Sequence, residues 1–321
     1  MKTKLVYIVV SDESDTYLEQ ALISAYSARL HNPHAYIEIV VDNQTADTLI
    51  DTRKEIKKYA TSITTIITPT EYTKTQRSRY IKTNLRNLIK GDYLFIDTDT
   101  IICEALDDVD DFDNDICAVR ELNKHSIFSP EEKWMYELAK KVCIEKEIAG
   151  EPYFNSGVMF VKDTENTHKL YNVWHDFWMK YSLKGLNTDQ TPLCMANKMV
   201  GHTIKHMDDC WNCQIKADGI YQTKDAKIIH YFYGMEADSF FFSKEAVFNT
   251  IKETGTIPLI VKEMINDARE AFVVDGDTAG FIKNQGDIRR VYDKKSNFYN
   301  LLQTLSHIYL AIIKRLRKQE Q

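Results

Sequence analysis

Short runs of apolar, mostly β-branched residues alternate with helical spacing along the first hundred positions. The runs that predict strands cover residues 5–10, 36–41, 63–67 and 93–96. Apolar side chains three or four positions apart predict helices over residues 16–30, about 46–59 and 79–90. Strands that alternate with helices in this way indicate an α/β fold with a mostly parallel, doubly wound sheet.

The second half of the chain continues this pattern less regularly. Further strands are predicted at residues 116–119, 157–161 and 227–233, and further helices at residues 130–146, 166–181 and 189–198. The alternation ends near residue 240. We therefore predict one α/β domain over residues 1–240, an irregular extension over residues 241–296 and a C-terminal helix over residues 297–321.

The strand at residues 93–96 runs directly into a pair of carboxylates, Asp97 and Asp99. The same spacing occurs elsewhere, for example at Asp108 and Asp110, so the context matters more than the spacing. A buried strand places the pair at the carboxyl end of the sheet, where ligands bind in open α/β folds. Carboxylates this close repel unless a cation neutralises them. We predict a divalent metal that carries a phosphorylated ligand; a solvated pair at a strand end is the alternative.

Composition narrows the classes of function. The 321 residues carry a net charge of −6 without a basic block, which argues against nucleic-acid binding. The first residues hold too few apolar positions for a signal sequence, and no run of about 18 apolar residues predicts a membrane span. Six cysteines scattered through predicted core elements suit a reducing compartment, so we expect a cytoplasmic protein.

Other ligand-binding motifs are missing or incomplete. No G-x-G or G-K-[S/T] occurs, which excludes a dinucleotide fingerprint and a P-loop. The acidic run from Asp111 has Ile116 and Leu122 where a calcium loop needs Gly and Glu. Cys210 and Cys213 form one isolated C-x-x-C, which favours two packed cysteines over a zinc site. A haloacid-dehalogenase-like phosphatase, which also carries D-x-D after a strand, stays a minority alternative.

Six segments, taken in order, resemble glycosyltransferase family 8, the family of glycogenin and of bacterial lipopolysaccharide galactosyl- and glucosyltransferases. They are IVVSDESDTYLEQALISAYSARLHNP, RSRYIKTNL, YLFIDTDTII, PYFNSGVMFV, LNTDQTPL and AKIIHYF, within about residues 4–235. The resemblance implies a GT-A fold with the nucleotide-sugar site at the carboxyl ends of the strands. It also implies retaining transfer of a hexose from a nucleotide-sugar, usually a UDP-sugar, to a glycan or lipid-linked acceptor, as in lipopolysaccharide or capsule synthesis.

The resemblance also assigns roles to single residues. It gives Mn²⁺ (or Mg²⁺) to Asp97, Asp99 and His230, and two hard oxygens with one imidazole suit Mn²⁺ independently. It gives the nucleotide-sugar to Val10, Ser11, Asp12, Tyr17, Arg79, Lys82, Thr98 and Ser156. It places Asp189, Gln190 and Asn155 at the reacting sugar.

Each of these assignments has a purely structural alternative. The alternatives are a satisfied core histidine for His230, simple packing for Tyr17, helix caps for Asp12 and Asp189, solvated charges for Arg79 and Lys82, and a tight turn for Asn155 and Ser156. The family also often carries Lys-Pro-Trp after the histidine, where the lysine contacts diphosphate. HYFYGMEADSF lacks it, which leaves open a non-catalytic nucleotide-sugar-binding protein on the same fold.

Residues 298–316 place their apolar side chains on one helical face, with lysines and arginines mainly at the ends. This arrangement is typical of a helix that lies on a membrane surface. Packing of the helix on its own domain or on a second subunit is equally open. The sequence therefore predicts either peripheral association with the inner face of the cytoplasmic membrane or an internal or homo-oligomeric contact.

Overall fold

The computed structural model describes residues 1–123, 133–215, 218–231 and 244–271, together with Leu305 and Ile308. Its strands are β1 (Lys4–Val9), β2 (Ile37–Asp42), β3 (Ser62–Ile66), β4 (Tyr93–Ile96), β5 (Thr100–Ile102), β6 (Ile116–Arg120), β7 (Phe154–Val161), β8 (Lys205–His206), β9 (Cys213–Gln214) and β10 (Ile228–His230). Its helices are α1 (Tyr17–His31), α2 (Asn43–Asp47), α3 (Lys74–Thr83), α4 (Leu85–Leu88), α5 (Lys133–Lys140), α6 (Glu145–Ile148), α7 (Glu165–Ser182), α8 (Gln190–Met199), α9 (Glu245–Thr254), α10 (Leu259–Asn266) and α11 (Ala268–Ala271).

Seven strands form the central sheet in the order β3-β2-β1-β4-β7-β6-β8. Only the two pairs made by β7 are antiparallel within this described sheet. The predicted α/β class and mostly parallel sheet are therefore confirmed. β1, β2 and β4 are buried along nearly their whole length. Strands buried on both faces are continuous apolar runs rather than alternating ones, which is why the sequence pattern located them.

A second sheet of three strands is built from β5, β10 and β9. β5 pairs antiparallel with β10, and the register sets Thr100 opposite His230. The chain passes from the central sheet to this smaller sheet between β4 and β5, at residues 97–99. This crossing holds both aspartates at the carboxyl end of β4 and sets them beside the end of β10.

Two predicted elements differ from the structure. The helix predicted over residues 46–59 is two short pieces, α2 and a 3-10 helix over Asp51–Lys58. Asp51 has a φ of 44°, which interrupts helical geometry between the pieces. The strand predicted from residue 157 begins at Phe154 instead. Asn155 and Ser156 therefore lie inside a buried strand, and the tight turn considered for them is wrong.

Helices continue beyond residue 240, where the alternation predicted from the sequence ends. α9 packs against α1 and against the 3-10 helix Asp51–Lys58. The contacts divide the chain into a unit Met1–Ala268 and a unit Arg269–Gln321, so α9 and α10 belong with the sheet. The helix predicted over residues 298–316 lies outside the described residues except for Leu305 and Ile308, both helical and about half exposed. None of the described helices is long and apolar enough to cross a membrane.

We expect Phe248→Ala to destabilise the protein by about 3–5 kcal/mol, because this fully buried ring anchors α9 and its loss leaves a cavity. Urea denaturation followed by circular dichroism measures the change. The control is Asn249→Ala at the exposed neighbouring position, which should change the free energy of unfolding by about 0.5 kcal/mol or less. Equal stability of the two variants would show that α9 is not part of the cooperative unit.

Candidate functional site

Three potential metal ligands meet where the two sheets adjoin. Asp97, Asp99 and His230 each offer a ligand atom, and these atoms lie within 4.8 Å of one another. Backbone bonds hold them there: the Asp97 amide donates to the carbonyl of Gly157 (2.7 Å), and the Tyr231 amide donates to the carbonyl of Asp99 (3.1 Å). Nε2 of His230 lies 3.3 Å from Oδ1 of Asp99. The structure thus brings together the three residues predicted to bind the metal.

Gly157 makes room for the imidazole ring. A Cβ at this position would overlap the ring of His230 and would also crowd Oδ1 of Asn155. The φ of Gly157 is not positive, so glycine is required here for space rather than for backbone conformation. The glycine of the F-N-S-G segment is therefore part of the site geometry, in a strand that crosses directly under the histidine.

Two cations on α3 face the acidic cluster. Lys82 is buried, and its Nζ lies 3.0 Å from Oδ1 of Asp97 and 3.5 Å from Oδ2 of Asp189. Arg79, one turn earlier on α3, has its Nε 2.9 Å from Oδ1 of Asp189. Both cations are therefore ion-paired and are not the solvated charges considered as the alternative.

The carboxylate of Asp189 is held by its neighbours rather than by its own helix. Asp189 precedes α8 but makes no side-chain capping bond. Instead, Oγ of Ser156 donates to Oδ2 at 2.7 Å, and Nε1 of Trp174 donates to the main-chain oxygen at 2.8 Å. Burial alone would raise the pKa of this carboxyl, but Arg79, Lys82 and Ser156 together hold the pKa of Asp189 well below its ordinary value. The group is therefore an anion throughout the physiological range.

A fourth carboxylate of the site, the buried Glu121, was not predicted. It follows β6 directly and accepts hydrogen bonds from Nδ2 of Asn155 (2.8 Å) and from Nε2 of Gln190. Burial raises the pKa of Glu121, although the Asn155 amide opposes that rise. The signal was present in the sequence, because a carboxylate directly after an apolar strand is the same context that singled out Asp97.

The charges of the described site do not balance. Four carboxylates face two permanent cations; the anions are Asp97, Asp99, Glu121 and Asp189, and the cations are Arg79 and Lys82. Burial raises the pKa of Asp97, with Lys82 opposing the rise and Asp99 adding to it. Burial disfavours the charged form of His230, yet the carboxylate of Asp99 raises the pKa of that histidine above its ordinary value.

With a neutral imidazole and four ionised carboxylates, the site keeps two uncompensated negative charges. One divalent cation would balance them. Two carboxylate oxygens and one imidazole nitrogen suit Mn²⁺, and the carboxylates also suit Mg²⁺. The residues present therefore fit a divalent metal.

The loop after β1 carries the residues predicted to bind the nucleotide. Val10 and Ser11 are buried, and the Ser11 amide donates to Oγ1 of Thr45 at 2.9 Å. Arg53 spans the loop, since its guanidinium donates to Oγ of Ser11 (3.2 Å) and to the main-chain oxygen of Asp12 (3.1 Å). Arg53 was not predicted, because its partners lie about forty positions away in the sequence.

Asp12 forms an ion pair with Lys74 at 2.8 Å and accepts from the Ser14 amide at 2.8 Å. The Lys74 hydrogen bond holds the pKa of Asp12 well below its ordinary value. The capping role considered for Asp12 is wrong, because α1 has no side-chain cap. Tyr17, at the start of α1, is 47% exposed, which leaves ring surface open to a ligand. Thr98, between the two aspartates, is nearly buried.

Comparison with known proteins agrees with this geometry. The family model described as glycosyl transferase family 8 matches residues 8–235. Two solved structures of the galactosyltransferase LgtC are similar in fold. The complex with donor and acceptor sugar analogs has 14% identity and a TM-score of 0.51, covering 81% of this chain and 99% of LgtC. An active-site mutant has 14% identity and a TM-score of 0.52, covering 82% and 99%.

GlyE of Streptococcus pneumoniae TIGR4 is a further solved structure, with 17% identity and a TM-score of 0.48. The match covers 83% of this chain but only 65% of the longer GlyE chain. No curated relative matches the chain by sequence. The LgtC structures identify the fold as GT-A.

We expect Gly157→Ala to destabilise the protein by about 1–3 kcal/mol, because the added methyl group must displace the His230 ring. Urea denaturation measures the change. Repeating the substitution in a His230→Ala background is the control, since removing the ring removes the main obstacle. A Gly157→Ala variant as stable as the wild type, or an equal loss in both backgrounds, would contradict the packing described.

Proposed function

Because the chain belongs to glycosyltransferase family 8, we propose that it transfers a hexose from a UDP-sugar to a saccharide or glycolipid acceptor, with a divalent metal and with retention of anomeric configuration. The family makes the protein a glycosyltransferase. The observation that carries the finer proposal is the cluster formed by Asp97 and Asp99, which follow β4, and by His230 at the end of β10.

Asp97, Asp99 and His230 would hold Mn²⁺ or Mg²⁺. A divalent metal held by these residues would supply positive charge for the donor diphosphate, the leaving group of the transfer. Lys82 pairs with Asp97 in the structure, so a metal at Asp97 would take over the contact that the buried ammonium makes here. We propose that Lys82 and Arg79 exchange carboxylate contacts for phosphate contacts when the donor binds.

The nucleotide would lie on the loop after β1. Val10, Ser11 and Asp12 border it, with the exposed ring of Tyr17 available for stacking on the base. Lys74 forms an ion pair with Asp12, and Arg53 donates to the main-chain oxygen of Asp12. These contacts hold the loop in one conformation before the ligand arrives. Preorganised contacts of this kind lower the entropy that binding must overcome.

The sugar would lie between the metal and the start of α8. Asp189 has lone pairs for sugar hydroxyls beyond those that its ion pairs use. Ser156 and Gln190 complete this side of the site, and Thr98 lies between the metal ligands. The acceptor would approach from the same side. The phosphatase alternative is excluded by the family match, which covers the D-x-D strand.

The contacts of the described carboxylates support retention by a same-face displacement rather than by a double displacement. Asp97 and Asp99 belong to the metal, Asp189 is ion-paired, and Glu121 accepts from two amides. A double displacement would need one of them to attack the sugar. A same-face displacement assisted by the leaving phosphate needs only positioning and charge stabilisation, both of which this site supplies.

The helix that the sequence predicts over residues 298–316 is the basis for a proposal about where the acceptor lies. Its apolar face with flanking basic residues supports a proposal of peripheral membrane association and a lipid-linked acceptor. We expect the full chain to sediment with anionic lipid vesicles and a chain truncated after Ser296 to stay in the supernatant. Absence of sedimentation for both forms would contradict the proposal and favour an internal or oligomeric contact for the helix.

We expect a UDP-sugar to raise the melting temperature only when Mn²⁺ is present. A ligand at 100 times its dissociation constant adds roughly 2.7 kcal/mol to the free energy of unfolding. GDP- and CMP-sugars serve as comparisons. Asp99→Asn should abolish the Mn²⁺-dependent shift, whereas Asp113→Asn, in the exposed acidic loop, should keep it. A shift that survives Asp99→Asn would place the donor elsewhere.

We expect the glycosidic product to keep the anomeric configuration of the donor. The reason is that Asp97 and Asp99 are assigned to the metal, while ion pairs hold Asp189 and two amides hold Glu121. Proton NMR of the product formed early in the reaction, before any mutarotation, gives the assignment. An inverted product would contradict the same-face displacement.

A further inference from the structure

A buried hydrogen-bonded chain connects His230 with Glu121. Nδ1 of His230 lies 3.0 Å from Oδ1 of Asn212. Nδ2 of Asn212 donates to Oδ1 of Asn155 at 2.9 Å, and Nδ2 of Asn155 donates to Glu121 at 2.8 Å. The chain joins three elements that are distant in the sequence: the end of β10, the 3-10 helix Asp209–Asn212 and the start of β7.

The direction of every bond in this chain is determined by one backbone group. The Gly157 amide can only donate, and it donates to the side chain of Asn155 at 2.8 Å, so the accepting atom is Oδ1. The atom of Asn212 that faces this oxygen must then be a donor, which is Nδ2. The remaining atom of Asn212 is the acceptor Oδ1, and the His230 nitrogen facing it must carry a proton.

Burial makes this arrangement obligatory. Glu121, Asn155, Asn212 and His230 are all less than a tenth exposed, so water cannot substitute for a lost partner. The opposite tautomer would set two acceptors against each other at Nδ1 and leave a buried polar atom unsatisfied. The chain therefore fixes a proton on Nδ1. Nε2 faces Oδ1 of Asp99 at 3.3 Å, where it either carries a second proton donated to that carboxylate or offers its lone pair to a cation shared with it.

We propose that Asn212 and Asn155 are positioning residues that fix the tautomer of His230, so that Nε2 is presented to the metal. Metal-binding histidines generally donate their second ring N–H to a fixed acceptor, which orients the ring and raises its basicity. This inference rests on the proposed metal-dependent function. It assigns Asn155 to the support of the metal ligand, whereas the family resemblance assigns it to the sugar.

Glu121 is where this chain ends, and it joins the chain to a second residue of the site. The same carboxylate accepts from Nε2 of Gln190, so the amide of Gln190 presents its oxygen away from Glu121. Glu121 thus orients two amides. One belongs to Asn155, which is linked to His230 through Asn212, and the other belongs to Gln190, next to the proposed sugar position. A single substitution at Glu121 would disturb both, so Asn212 is the cleaner position to test.

The tautomer can be measured directly on the wild-type protein. NMR of isotopically labelled imidazole rings, recorded without metal at a pH where His230 is neutral, separates the two tautomers, and His230→Gln identifies the signal. We expect the proton on Nδ1. A proton on Nε2 would overturn the inference, whatever the activity of the enzyme.

Metal affinity tests the consequence. Mn²⁺ is titrated against the full chain and followed by the electron paramagnetic resonance of the free ion. Asn212→Leu removes the acceptor and should weaken Mn²⁺ binding by about 10–100-fold. Asn212→Asp keeps an acceptor for the Nδ1 proton and should stay closer to the wild type. Asn197→Leu is the matched control, because Asn197 is equally buried and accepts one backbone bond, from Ile204, away from the site.

The outcomes separate this inference from the proposed function. Wild-type affinity in Asn212→Leu, with a normal melting curve, would overturn the inference and leave the metal site standing. Absence of Mn²⁺ binding to the wild type would contradict the metal-dependent function, and the tautomer measurement would still decide whether the chain fixes the ring. If Asn212→Leu does not fold, the comparison of Asn212→Asp with the wild type and the NMR result decide the matter.

Discussion

Repulsion among clustered carboxylates, two buried and two partly buried, is the constraint on which the rest of this site depends. Asp97, Asp99, Asp189 and Glu121 are drawn from three separate segments into one small volume. Buried like charges are costly unless cations and hydrogen bonds compensate them. Arg79 and Lys82 compensate half of the charge. The remainder is what a divalent metal would balance, and it explains why a strand ends in two aspartates.

Strand pairing and backbone hydrogen bonds hold the residues of this site in position. The crossing between the two sheets fixes both aspartates, and the pairing of β5 with β10 sets His230 opposite Thr100. β7 passes beneath them with Gly157 at the point of closest approach. His230 and Gly157 lie on strands, which hold residues more rigidly than loops do, and the two aspartates lie in a connection of three residues between strands. A site of this kind is formed before its ligand arrives, which favours binding of charged groups at little reorganisation cost.

The sequence predicted most of what depends on local pattern. The apolar runs located the buried strands, and the context of the acidic pair located the carboxyl end of β4. His230 was identified through the family resemblance. Its local sequence, a single histidine at the end of an apolar strand, does not indicate a metal ligand by itself. Glu121 carried the same local signal as Asp97 but lacked a motif to single it out.

The remaining features are decided by partners far apart in the chain. Asn212 lies in a segment whose cysteines suggested only packing, and its role appears from contacts with His230 and Asn155. Arg53 reaches the loop after β1 from a helix that the sequence predicted as longer and regular. α9 belongs with the sheet because it packs on α1. Hydrophobic periodicity predicts local secondary structure, so it cannot predict any of these contacts between distant residues.

The most direct measurement of the central claim is an anomalous-scattering map from crystals of the protein grown with Mn²⁺ and UDP. The account predicts one manganese peak per chain, bonded to Asp97, Asp99 and Nε2 of His230, with diphosphate oxygens completing its coordination. A manganese peak elsewhere, or bound UDP without manganese at these three residues, would contradict it.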